Sequence, residues 1–155
     1  MPVKCALEFL VDYLPALSYV PGMSGQIVRI VLLVALAVGI LVLSLLPESI
    51  IPVKAFMGLD KAQHWLAYCG LGILVMLTIQ SARRTLVLYF ALSVFSCTIY
   101  GGIIEVLQGF TGRTPDIIDF SVNFAGAACG AIIAVGAIEI SRNKQRQLTD
   151  EIRDT

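Results

Sequence analysis

Four apolar runs, each about twenty residues long, leave few folds open to this chain. A bilayer core is about 30 Å thick, and about 20 residues of helix are needed to cross it. Ile27–Leu46 carries one charge, Arg29, near its start, where a long side chain can snorkel to the headgroups. The second run extends from about Ala62 to Ala82, with His64 its one group able to take a charge. Thr85–Ile104 and Phe120–Ile138 carry none. All six prolines (Pro2, Pro15, Pro21, Pro47, Pro52 and Pro115) lie outside these runs, as uninterrupted helices require. No run alternates in the manner of a transmembrane strand. The expected fold is an all-α integral membrane protein, a four-transmembrane-helix bundle. Because the first long run starts only at residue 27, no cleavable leader is expected.

Composition narrows the functions. Charged residues make up 14% of the chain, where about 25% is usual in a soluble domain. The formal net charge is zero, so a basic nucleic-acid-binding surface is excluded and no nucleic-acid partner is expected. Cys5, Cys69, Cys97 and Cys129 show no metal-ligand spacing, and three of them sit inside apolar runs. They read as small packing residues.

Residues 3–15 follow a different pattern. Lys4, Glu8 and Asp12 recur every fourth residue among apolar neighbours, which places them on one helical face. A short amphipathic N-terminal helix along the membrane surface is expected. The chain thus divides into an interfacial segment (1–26), a four-helix membrane domain (27–140) and a polar cytoplasmic tail (141–155). The tail is expected to continue the fourth helix by a turn or two. Orientation follows from the Lys and Arg in short loops. The side holding both termini carries Lys4, Arg29, Arg83, Arg84, Arg142, Lys144, Arg146 and Arg153; the other carries Lys54, Lys61 and Arg113. Both termini should be cytoplasmic, with 47–59 and 105–119 facing outward.

That outward side collects the unusual polar residues. Asp60, Lys61 and His64 open the second span, and Glu105 and Gln108 close the third. Arg113, Asp116 and Asp119 follow, and Asn123 lies one turn inside the fourth span. Spacings of three and four put Asp60 with His64, Glu105 with Gln108, and Asp119 with Asn123 on shared faces. Bundled inward, they make one polar mouth. Gly126 and Gly130 form a small-xxx-small pair that lets helices approach there. Asp60 and Asp119 also suit plain helix capping. Glu105 is harder to explain as structure, because a helix C-terminus disfavours an anion. It should find a cation, from Arg113, Lys61 or His64. The acid-xxx-polar start of the second span is echoed at the start of the fourth, as two related hairpins would require.

In this order, these residues resemble the VanZ-like family of small bacterial membrane proteins. The matching pieces are Leu43-Ser44-Leu45-Leu46-Pro47, Asp60-Lys61 with His64 and Ala67-Tyr68, and Tyr100-Gly101 with Glu105 and Gln108. Gly112-Arg113, Asp116, Asp119, Asn123, Gly126 and Gly130 complete the set, over roughly residues 40 to 135. Some members carry an Asp-Glu pair where this chain has Ile104-Glu105. The family takes its name from a protein that lowers susceptibility to the lipoglycopeptide teicoplanin. The resemblance implies a multi-pass protein of the bacterial cytoplasmic membrane with a role at the cell envelope.

Three functions compete at this stage. In the first, the outer mouth binds or acts on an envelope lipid, a lipid-linked wall precursor or a lipoglycopeptide, with Arg113 and Lys61 holding phosphate or carboxylate. In the second, the protein is a membrane-embedded hydrolase or transferase for a lipid-linked substrate. Glu105 or Asp119 would then be the general base and His64 an acid or metal ligand, and a divalent cation such as Mg²⁺ or Ca²⁺ would suit the oxygen-rich cluster. The third is a small transporter working as an oligomer, disfavoured because all four spans lack an acid near the midplane.

Overall fold

In the computed structural model, residues 24–46, 57–80, 85–111 and 116–153 are described. Among them the chain forms four α-helices and no strand: α1 (Gly25–Leu45), α2 (Met57–Ile79), α3 (Leu86–Gln108) and α4 (Ile117–Arg153). At 1.5 Å per residue, the 21 residues of α1 and the 23 each of α2 and α3 give lengths of about 32 to 35 Å. All four helices are long and apolar enough to cross a membrane. The interfacial helix expected over residues 3–15 lies outside the described residues.

The ends of the helices have local causes. Leu46 leaves α1 in an extended conformation (φ −65°, ψ 136°) because Pro47 follows it. α4 is capped by Asp116, whose Oδ1 accepts the Ile118 N–H at 2.8 Å. Asp119, expected as a cap, lies in the first turn of α4 and points its carboxylate elsewhere. The fourth helix also runs further than expected, to Arg153. Its last three turns, from about Ser141 onward, carry three Arg, two Gln, a Lys, a Leu and a Glu, which favour helix even where nothing packs on them.

α2 is the centre of the bundle. It packs against α1, α3 and α4, while α1 reaches only α2 and α3. The most extensive interface joins α2 to α4, and glycine makes it. A Cβ on Gly126 would overlap the Trp65 carbonyl, one on Gly130 the Cys69 carbonyl, and one on Gly72 the Ala127 carbonyl. The two backbones are therefore in direct contact over about two turns, the arrangement expected of a small-xxx-small pair. Tyr68, Leu71, Cys97, Ile104 and Ala127 form the core beside it, and Met76, Leu77, Tyr89, Ala134 and Ile138 form a second cluster toward the other end. The outer face of α1 exposes Val31, Val34, Val38 and Leu43, as a lipid-facing helix does.

Polar groups inside the bundle are mostly paired. Ser93 Oγ donates to the Gly72 carbonyl (3.0 Å) and the Tyr100 hydroxyl to the Ala37 carbonyl (2.6 Å). Arg29, expected to reach for headgroups, instead donates from Nη1 to the Leu77 carbonyl (2.7 Å) and from Nε to the Gly25 carbonyl (3.2 Å). It ties the start of α1 to the last turn of α2, where helix carbonyls lack partners of their own.

Candidate functional site

The start of α2, the end of α3 and the start of α4 meet at one end of the bundle. Lys61 stands at the rim. Its ammonium donates to Asp116 Oδ2 at 2.8 Å and to Asp119 Oδ1. It therefore bridges α2 to α4 and to the residue that caps α4. The same pairing, with the Ile118 amide, holds the Asp116 carboxyl below its ordinary pKa. One turn further in, His64 Nδ1 meets Asn123 Oδ1 at 3.0 Å. With the amide oxygen accepting, this nitrogen carries the proton.

Glu105 departs from expectation. It makes no hydrogen bond to Lys61 or His64, although His64 acts on it electrostatically. Its Oε2 accepts the backbone N–H of Asp116 at 3.2 Å, and its Oε1 is buried without a partner in the protein. Lys61 is held by the two aspartates instead, and Arg113 lies outside the described residues. Gln108, on the same face of α3, donates to the Ser44 carbonyl of α1 at 3.1 Å and ties α3 to α1 at this end. Asp60 lies on α2, directly before Lys61.

The site runs deeper than the residues read as its members. Tyr68 is seven residues along α2 from Lys61, about 10 Å inward. Its hydroxyl is buried and unpartnered, and so is Nδ2 of Asn123. Both converge on Gly101: a Cβ there would stand 3.2 Å from the Tyr68 hydroxyl and 3.3 Å from Asn123 Nδ2. Glu105 follows Gly101 by one turn on the same face of α3. Three unpartnered polar atoms, from three helices, thus gather beneath the Lys61 bridge. Tyr68 was visible in the sequence only through the family resemblance. The signal that assigns it is its spacing, four residues after His64 and seven after Lys61 on one helical stripe.

The chemistry available is that of hydrogen bonding by buried groups. The described side chains supply a carboxylate acceptor, an amide donor and a phenol that can act as either. Asp116 and Asp119, which the sequence offers to a divalent cation, both face the Lys61 ammonium. Among the described residues, no three His, Cys, Asp or Glu side chains are grouped to hold a metal ion.

Comparison with known proteins gives the chain its relatives. No curated protein and no solved structure gives a significant match. The VanZ/LLP1 family model matches residues 17–139, which takes in all of the first three helices, most of the fourth and every residue of the site. With four helices able to span a bilayer, this is a multi-pass membrane protein, and the chain belongs to the VanZ/LLP1 family.

Proposed function

We propose that the polar end of the bundle is an extracytoplasmic binding site for an envelope lipid, a lipid-linked wall precursor or a lipoglycopeptide. One observation carries the reading. Tyr68, Glu105 and Asn123 keep buried polar atoms without protein partners at the same end of the bundle. A buried polar group left unpaired costs about 1–3 kcal/mol, and three together argue for a role outside stability. The net excess of Lys and Arg on the side of the termini supports an outward-facing site, and family membership supports a role at the envelope of the bacterial cytoplasmic membrane.

The test is drug susceptibility in a Gram-positive host carrying empty vector, the wild type or Glu105→Gln. Teicoplanin and vancomycin are compared, because only the first carries an acyl tail. The reading expects protection against teicoplanin that the variant loses. Equal protection by the variant, at equal membrane abundance, would separate the phenotype from this site.

A further inference from the structure

The envelope lipid is left broad by the reading above, and the buried groups narrow it. Resting on that reading, we propose that Tyr68, Glu105 and Asn123, with Gly101 as the wall between them, form a subsite for the hydroxyls of a neutral, sugar-like headgroup rather than for a phosphate.

Charge is the first argument. The described side chains at this end include three carboxylates, on Glu105, Asp116 and Asp119, and one ammonium, which Asp116 and Asp119 already hold. A phosphate placed against Glu105 within the subsite would meet a net negative field and find Lys61 engaged. A neutral headgroup meets no such penalty.

Donor and acceptor matching is the second argument. Glu105 Oε1 requires a donor and Asn123 Nδ2 an acceptor, and the Tyr68 hydroxyl accommodates either. A hydroxyl supplies both roles at once, and vicinal hydroxyls supply them in pairs. Phosphate oxygens would satisfy the amide and the phenol but not the carboxylate.

Shape is the third argument. The three side chains are almost completely enclosed, at 1% exposure for Tyr68, 1% for Asn123 and 6% for Glu105. Gly101 carries no side chain where Tyr68 and Asn123 converge, and a methyl group there would crowd the Tyr68 hydroxyl at 3.2 Å and Asn123 Nδ2 at 3.3 Å.

The test titrates the full chain in detergent micelles with two lipids of equal acyl composition, and reads bound lipid by native mass spectrometry. The lipids are monoglucosyldiacylglycerol and phosphatidic acid. The wild type should bind the glucosyl lipid in preference. Tyr68→Phe and Gly101→Ala should each weaken it by about tenfold, the value of one good hydrogen bond to a ligand. Tyr68→Phe also guards against misfolding. It removes a hydroxyl with no protein partner, so its Tm should equal or exceed that of the wild type while binding falls. Preference for phosphatidic acid overturns the hydroxyl subsite and leaves envelope-lipid binding standing. Unchanged glucosyl-lipid binding in both variants overturns the subsite as well. Binding of neither lipid does the same, and the wider reading falls with it only if a lipid-linked wall precursor also fails to bind.

Discussion

His64 Nδ1 and Asn123 Oδ1 lie 3.0 Å apart and join α2 to α4 one turn inside the bundle. Each stands four residues after an acid, Asp60 or Asp119, so two helix starts with the same pattern meet through their second members. The glycine contacts of Gly126 and Gly130 set the distance between the two helices, and the polar pair sits at the mouth of that seam. Close backbone packing below and a hydrogen bond above fix the position of Asn123, whose other amide atom faces the site.

Lys61 and Asp119 should be energetically coupled. Their side chains are 32% and 15% exposed, between a surface pair and a buried one. A double-mutant cycle with Lys61→Met and Asp119→Asn, read by thermal unfolding in detergent, should give a coupling of about 1 kcal/mol. A value indistinguishable from zero would mean that the bridge does not order this end of the bundle.

The pH dependence follows from Asp116. Its folded-state pKa is lowered, first by the hydrogen bond from Lys61 and then by the Ile118 amide. A lowered folded pKa contributes stability in full above the unfolded value, about 3.9, and loses it as pH falls through the folded value. The Tm difference between wild type and Asp116→Asn should hold constant from pH 7 to about pH 5 and shrink only below about pH 4. Asn retains the cap on Ile118, so the comparison isolates charge. A difference that disappears between pH 7 and pH 5 would contradict this assignment.

The glycines should divide into two classes. Gly130→Val would drive a side chain into the Cys69 carbonyl and force α2 from α4, and the protein should fail to accumulate in the membrane. Gly39→Ala meets nothing within 4 Å and should accumulate at or slightly above wild-type level, because Ala favours helix by up to about 1 kcal/mol. Equal tolerance of both would remove the backbone contact as the organiser of the fold.

Topology can be read directly. A periplasm- or exterior-dependent reporter such as alkaline phosphatase, fused after Arg113, should be active, and the same reporter fused after Arg84 should be silent. The reverse pattern would turn the site toward the cytoplasm.

Much of this architecture was legible in the residues, and the exceptions share a cause. Spans are visible because hydropathy is local, and shared faces are visible because helical spacing is regular. Asp119 and Asn123 thus group with Lys61 and His64 from their spacing alone. The partner of Glu105 could not be found in that way. Charges announce themselves in a sequence, but the group that meets Glu105 is the main-chain amide of Asp116, and every residue but proline offers one. Arg29 hid its partner for the same reason, since it is the Leu77 carbonyl. Tyr68 stands out in the sequence only through the family resemblance, and the convergence of its hydroxyl with Asn123 on Gly101 makes it part of the site. α4 runs beyond its apolar segment because the bilayer limits the length of that segment and not of the helix.

The most direct measurement is binding of a lipid-linked wall precursor, a disaccharide-peptide on a polyprenyl pyrophosphate, to the purified full chain. Wild type and Glu105→Gln are compared by native mass spectrometry at matched Tm. Exchange of one carboxylate oxygen for an amide keeps the size of the side chain and an acceptor for the Asp116 amide, but removes the charge that would receive a ligand donor. The account predicts saturable binding to the wild type and about tenfold weaker binding to the variant. Equal retention by both proteins, or by neither, would contradict a binding site built around Glu105.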